Sequence, residues 1–224
     1  MSELIDELRF RLRAGPRRTL TWVVDRLLDQ NQDRRFGIAT SRNHSPHPKR
    51  KDFVRYQPVS YRDIEESLAL ASLTPDDVFL DIGSGMGRAL CVAAMHCFRR
   101  VIGVEISPEL CAIAEQNLAR LGQRRICPDV RVINADALEY TIPADVSIIF
   151  LFNPLSGAAL DTLLEHVVDS HRKHPRALRI LSTGTLSSGH FAQAAAVHRC
   201  FRLVHASTLQ TGARALLYNV QDQR

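Results

Sequence analysis

Paired cysteines are missing from this chain. Its five cysteines, Cys91, Cys97, Cys111, Cys127 and Cys200, include no CxxC pair, and an odd number leaves no closed disulfide set. Reduced, mostly buried thiols are expected. The nine histidines do not cluster: only His44 and His47 stand close outside a helical pattern, with no cysteine or carboxylate beside them. No metal is expected on that pattern. Long apolar runs are missing too. The run from Val146 to Phe152, with one serine inside it, falls far short of the roughly 20 residues that span a bilayer. Near the start, Glu3, Asp6 and Glu7 alternate with Arg9, Arg11 and Arg13, so the stretch lacks the uninterrupted apolar core of a secretory signal. A cytoplasmic protein with no membrane partner is the expectation.

What is present is ordinary globular material. The 224 residues are 45% hydrophobic and 24% charged, which suits one domain with a helical extension and excludes disorder, collagen and disulfide miniproteins. The net charge of +5 is unevenly placed: residues 1–51 hold 12 Lys and Arg against 6 Asp and Glu, so the whole excess is N-terminal. Arginine makes up 26 of the 29 basic residues, a preference that fits phosphate or carboxylate partners and equally fits a solvated surface.

Leu4, Ile5, Leu8 and Leu12 recur at helical spacing up to Gly15-Pro16, and Leu20, Val23, Val24, Leu27 and Leu28 repeat it before fading into the polar stretch Asp29 to Arg35. A helical hairpin is expected there. From Phe36 to Tyr61 the aperiodic, proline-bearing chain reads as a long loop of lid type, so residues 1–60 form one unit and 61–224 the main domain. A helix through Ile64, Leu68 and Leu73 follows. Strands read at Val78-Ile82, Val101-Glu105, Val130-Asn134, Val146-Phe152, Ala177-Ser182, Arg202-His205 and Ala215-Val220, with helices between the first five. This alternation predicts a doubly wound α/β fold with a mostly parallel sheet. The last two strands, too close for a helix between them, should form an antiparallel hairpin at one edge.

The strongest motif is V-F-L-D-I-G-S-G-M-G-R, Val78 to Arg88. A buried strand carries Asp81 near its end; Gly83, Ser84, Gly85 and Gly87 form a loop; an apolar helix follows. Glycines here let a ligand lie against bare backbone at the carboxyl edge of the sheet. The spacing is GxGxG, and the dinucleotide pattern GxGxxG would need glycine at Arg88. Asp81 would repel a pyrophosphate, but suits a cationic ligand such as S-adenosyl-L-methionine, with its sulfonium and α-ammonium. Glu105, 24 residues on, stands at the second strand's tip, where an acid can accept both ribose hydroxyls. Ser107 and Pro108 then open a helix. Asp136 closes the third strand in N-A-D-A, where it either accepts from an adenine amino group, with Ala135 and Ala137 leaving room for the ring, or simply makes an Asx turn. Met86 and Arg88 are expected to pack and solvate the helix after the loop.

Three acids at three successive strand tips resemble the class I S-adenosylmethionine-dependent methyltransferases, from about Tyr61 to Val220. The resemblance implies a seven-strand sheet with its last strand antiparallel. It gives Asp81 and the loop Gly83, Ser84, Gly85 and Gly87 to the methionine part, Glu105 to ribose, and Asp136 with Ala137 to adenine. Asn153-Pro154, at the fourth strand's end, is similar to a shortened form of the (Asn/Asp)-Pro-Pro-(Tyr/Phe) motif of amino and amide N-methyltransferases. Leu155 and Ser156 replace its second proline and aromatic. Asn153 is therefore a candidate at the cofactor and as the catalytic group holding an acceptor nitrogen; a plain turn after a buried strand is the alternative.

The segments Y-Q-P-V-S, D-D-V-F-L-D-I-G-S-G-M-G and S-I-I-F-L-F-N-P-L-S-G are also similar to parts of the non-SET histone-lysine methyltransferases. By that likeness Tyr56 and Tyr61 close over the cofactor or acceptor; core packing is their other reading. No general base stands out, His190 being as well read as a surface residue at a helix start. The expected activity is methyl transfer to a nitrogen of a protein side chain or a small-molecule amine or amide. Small-molecule O-methylation, RNA methylation and a non-catalytic cofactor-binding module are the alternatives. RNA is less favoured, because residues 42–56 offer charge with little stacking surface.

Overall fold

The computed structural model of the chain describes residues 16–41, 58–152, 155–184 and 187–222. Its strands are β1 (Val78–Ile82), β2 (Arg100–Glu105), β3 (Asp129–Asn134), β4 (Ile148–Phe152), β5 (Leu178–Gly184), β6 (Phe201–Thr208) and β7 (Arg214–Val220). They form one sheet in the order β3-β2-β1-β4-β5-β7-β6. The first five pair in parallel, and β7 lies antiparallel between β5 and β6, as the spacing of the last two strands predicts. The helices are α1 (Pro16–Phe36), α2 (Tyr61–Leu70), α3 (Arg88–Ala94), α4 (Pro108–Leu121), α5 (Ala158–Lys173) and α6 (Ser187–Val197).

A parallel strand covered on both faces has no solvent side, which is why β1 reads as a continuous apolar run with every residue buried. Val78, Leu80 and Ile82 point into one core with Leu160, Leu163, Leu164 and Val167 of α5 and Phe191 of α6. Phe79 points the other way, among Ile64 and Leu68 of α2, Leu90 of α3 and Leu118 and Leu121 of α4. Serine caps start two of these helices: Ser60 Oγ accepts from the Asp63 N–H at 3.0 Å, and Ser107 Oγ from the Leu110 N–H at 3.3 Å, with Pro108 in the first turn. None of the helices among the described residues is long and apolar enough to cross a membrane.

Two expectations need correction. No helix connects β3 to β4: residues 135–147 cross by turns alone. Ile142 and Val146 are buried in the α5-side core and Ala135, Ala137, Leu138 and Tyr140 pack against it, so the crossing fills the place a helix would take. At the N-terminal side, α1 does not fade at Asp29 but runs to Phe36, and Val24, Leu27 and Leu28 face outward, Leu27 60% exposed. Its acidic side turns inward instead. Asp29 and Asp33, four residues apart on one face, meet a buried arginine, and that charge outweighs the apolar pattern. The other arm of the expected hairpin, residues 4–12, lies outside the described residues, as does 42–57, the middle of the expected loop.

Candidate functional site

The chain turns immediately after β1. The N–H groups of Gly83 and Ser84 both donate to the Val104 carbonyl, at 2.8 and 3.1 Å, clipping the loop to β2. Gly87 has φ +79°, which side chains resist, and a Cβ there would stand 2.9 Å from the Ala114 Cβ of α4. Gly103 makes a second close approach, within β2: a Cβ would lie 2.4 Å from Leu90 Cδ1 and 2.7 Å from Ser84 Oγ. A glycine inside a strand is the signal for such an approach, and V-I-G-V-E carried it unread.

Strand register then gathers the three acids. Asp81 stands opposite Gly103, Glu105 opposite Asn134, and Asp136 two residues beyond that. Glu105 Oε2 accepts from the Gly85 N–H and its Oε1 from the Ser107 N–H, both at 2.9 Å, so one carboxylate ties the glycine loop to the start of α4. The Ala135 N–H donates to the Glu105 carbonyl at 3.1 Å, joining the third tip to the second. Asp136 Oδ1 accepts from the Leu138 N–H at 2.9 Å, an Asx turn that holds Asp136 and Ala137 half-buried at the rim.

Asp81 is 4% exposed, and no described residue offers its carboxyl a hydrogen bond or a cation. Burial, and then the charge of neighbouring Glu105, push its pKa up to about 8. Ser84 Oγ, in the loop, is buried with no hydrogen-bond partner among the described residues. An acid and a hydroxyl that the described residues leave without a partner, with a backbone bare of side chains, fit a cationic nucleoside ligand, the chemistry of S-adenosylmethionine.

The acceptor candidates divide. Asn153 and Tyr56 lie outside the described residues; Asn153 directly follows Phe152, the end of β4, which pairs with β1. Of His190, only the helical backbone is described. Tyr61 is corrected: its hydroxyl donates to Asp33 Oδ1 at 2.6 Å, its ring meets Phe36 edge-on at 5.7 Å, and the whole side chain is buried against α1. Burial and the Asp33 hydrogen bond drive its phenol pKa upward, so its proton stays put. It packs the core.

Arg88 is corrected as well. It does not solvate a helix but is 2% exposed, with every guanidinium nitrogen engaged. Its Nη1 donates to Asp29 Oδ2 at 2.7 Å and to the Val59 carbonyl at 2.8 Å; Nε reaches Thr40 Oγ1 and Nη2 reaches Ser41 Oγ, both at 2.7 Å. The Tyr61 ring lies 4.7 Å from its central carbon. Asn117 of α4 also went unread: its Nδ2 donates to the Met86 carbonyl at 2.9 Å and to the Ala39 carbonyl at 3.3 Å, while the Ala39 N–H returns to its Oδ1 at 2.9 Å. The signal was an asparagine on the buried stripe Leu110, Cys111, Ala114, Leu118, Leu121.

Comparison with known proteins agrees with this geometry. Residues 79–174 match the family described as a methyltransferase domain. Among curated proteins, the chain is 27% identical over 138 residues to a histone-lysine N-methyltransferase, H3 lysine-79 specific, of Dictyostelium discoideum, covering 55% of this chain and 7% of that protein. It is 33% identical over 81 residues to ribosomal RNA small subunit methyltransferase A of Kineococcus radiotolerans, covering 36% of this chain and 26% of that one. The chain thus spans only a minor part of either relative. Among solved structures, an RNA methyltransferase from Salinibacter ruber in complex with S-adenosyl-L-homocysteine superposes with a TM-score of 0.59 at 20% identity, over 75% of this chain and 96% of that one. Sheet order, glycine loop and these likenesses converge on one fold: the chain is built on the fold of the class I methyltransferases, and residues 79–174 are similar to a methyltransferase domain.

Proposed function

We propose that the chain is an S-adenosylmethionine-dependent methyltransferase that methylates a nitrogen, on a protein side chain or a small-molecule amine or amide. The observation that carries the reading is the buried Asp81 carboxyl, with no cation beside it among the described residues, next to the glycine loop and Glu105. Asp81 and Ser84 would hold the methionine part, Glu105 the ribose, and Asp136 with Ala137 the adenine. Bound there, the cofactor supplies an electrophilic methyl for in-line transfer to a nucleophile. The chain's own contribution is to orient the partners and exclude water. Asn153, next after β4 in sequence, would accept a hydrogen from the acceptor nitrogen and aim its lone pair, and Tyr56 would close over the cofactor or acceptor.

The likeness to the Dictyostelium histone-lysine enzyme supports nitrogen in a protein, and the Kineococcus ribosomal RNA enzyme supports an RNA acceptor as a second reading. The test is direct. Cofactor carrying a tritiated methyl is incubated with the chain and a host lysate, and the label is followed into protein, nucleic-acid and small-molecule fractions. Label recovered as an N-methyl amine after hydrolysis of the protein or small-molecule fraction supports nitrogen, and label carried in methyl esters or methyl ethers replaces it with oxygen. Label confined to RNA replaces the reading, and no transfer despite bound cofactor leaves a binding module.

A further inference from the structure

The glycine loop is held from two sides, and the second lies upstream of the methyltransferase domain. On the inner side the loop's N–H groups are fixed by the Val104 carbonyl and the Glu105 carboxylate. On the outer side Asn117 holds the Met86 carbonyl, and Arg88 leaves the chain directly after Gly87. Both of those side chains end on the same short segment, Ala39 to Ser41. Asp33 shapes that segment: its Oδ2 accepts from the N–H groups of Thr40 and Ser41, at 2.8 and 2.9 Å, and its Oδ1 from Thr40 Oγ1 at 2.7 Å. A loop built on alternate glycines has little conformational preference of its own, so its shape depends on what is fastened to it.

We propose that residues 29–41 brace the cofactor loop, with Arg88 and Asn117 as the positioning residues that transmit the brace. Cofactor affinity then depends on Thr40 and Ser41, which belong to neither the loop nor the sheet. The proposal rests on the reading that the cofactor lies against Gly83 to Gly87. Arg88 suits the task because its planar fork satisfies four partners from three segments at once, Asp29 on α1, Thr40 and Ser41, and the Val59 carbonyl.

Thr40→Val keeps the shape of a side chain that is fully buried and removes one oxygen, the acceptor of Arg88 Nε and donor to Asp33. The full-length variant is titrated with S-adenosylhomocysteine by calorimetry, and amide hydrogen exchange is read on peptides covering 83–88 and β5. The expected result is a loss of affinity of about 5–50-fold with faster exchange at 83–88, β5 unchanged, and recovery of both in Thr40→Ser, which restores the hydroxyl. A variant that only loses global stability would speed exchange everywhere and bind normally once folded. If Thr40→Val does not fold, Ser41→Ala removes a single peripheral bond and takes the same readouts. Affinity within twofold of the parent chain, with exchange at 83–88 unchanged, overturns the brace. Failure of the parent chain itself to bind would instead overturn the cofactor reading, and exchange at the loop would then judge the brace alone.

Discussion

Asp81 illustrates how much one buried side chain can report. With its pKa pushed up to about 8, its carboxyl is protonated at neutral pH in the free protein, and a cationic ligand must displace that proton. Binding of S-adenosylmethionine at pH 7 should therefore release up to about one proton, and affinity should rise with pH toward 8. Calorimetry in two buffers of different ionisation enthalpy measures this, and an enthalpy independent of buffer would rule it out. Stability has the opposite dependence. The folded protein holds a proton on Asp81 that the unfolded chain releases near pH 4, so this group's contribution falls as pH rises from about 4 through 8. In Asp81→Asn that part of the pH dependence should vanish, and cofactor binding should weaken sharply. Glu105→Ala should weaken binding by about 1.5–3 kcal/mol, because the two N–H groups it accepts from lose a charged partner and the ribose would lose its proposed acceptor. The three acids and the loop glycines were legible as residues. Arg88 was not, since nothing in the string says that the arginine after a glycine loop faces two carboxylates from a helix more than fifty residues upstream.

At the level of elements, α1 and β2 show sequence patterns overruled by a neighbour. The apolar residues of α1 marked a face, and the helix turned Val24, Leu27 and Leu28 outward because Arg88, cut off from water, needs Asp29 and Asp33. Burial does raise the pKa of Asp29, and the arginine's charge works against that rise. Asp29→Ala should cost about 3–5 kcal/mol in a denaturant titration, the range for breaking a buried pair from one side. Leu27→Lys, on the exposed face, should stay within about 0.5 kcal/mol of the parent. Equal effects of the two would contradict this orientation of the helix. In β2, Gly103→Ala forces a methyl against Leu90 and Ser84, and should cost about 1–3 kcal/mol of stability with a measurable loss of cofactor affinity through the displaced loop.

Across the whole molecule, sheet order explains why residues distant in sequence share a site. β1 lies between β2 and β4, so the chain reverses direction of winding there, and the crevice at that switch is where ligands of open α/β sheets bind. Asn153 follows in sequence directly after β4, the strand that pairs with β1 on the side away from β2. Asn153→Ala should lower turnover by roughly 10–1,000-fold, about 1.4–4 kcal/mol of barrier, with S-adenosylhomocysteine affinity nearly intact. If Asn153 only forms a turn, steady-state kinetics will show normal turnover at saturating substrates and the loss will appear in thermal stability.

Local chemistry is written in the sequence. Strand alternation, the serine caps, the GxGxG turn and the acids at strand tips each depend on residues within a few positions of one another, and hydrophobic period or backbone freedom fixes them. The doubly wound class and the antiparallel final hairpin followed from the same short-range spacing. Only the tertiary structure decided the rest. It left β3 and β4 joined without a helix, turned the acidic face of α1 inward and made Tyr61 a core residue. Each outcome follows from a contact between distant segments: Ile142 and Val146 filling one core, and the Asp29, Asp33, Tyr61 and Arg88 cluster filling another. A buried charge must find its partners wherever the fold brings them, and that requirement has no periodicity to read.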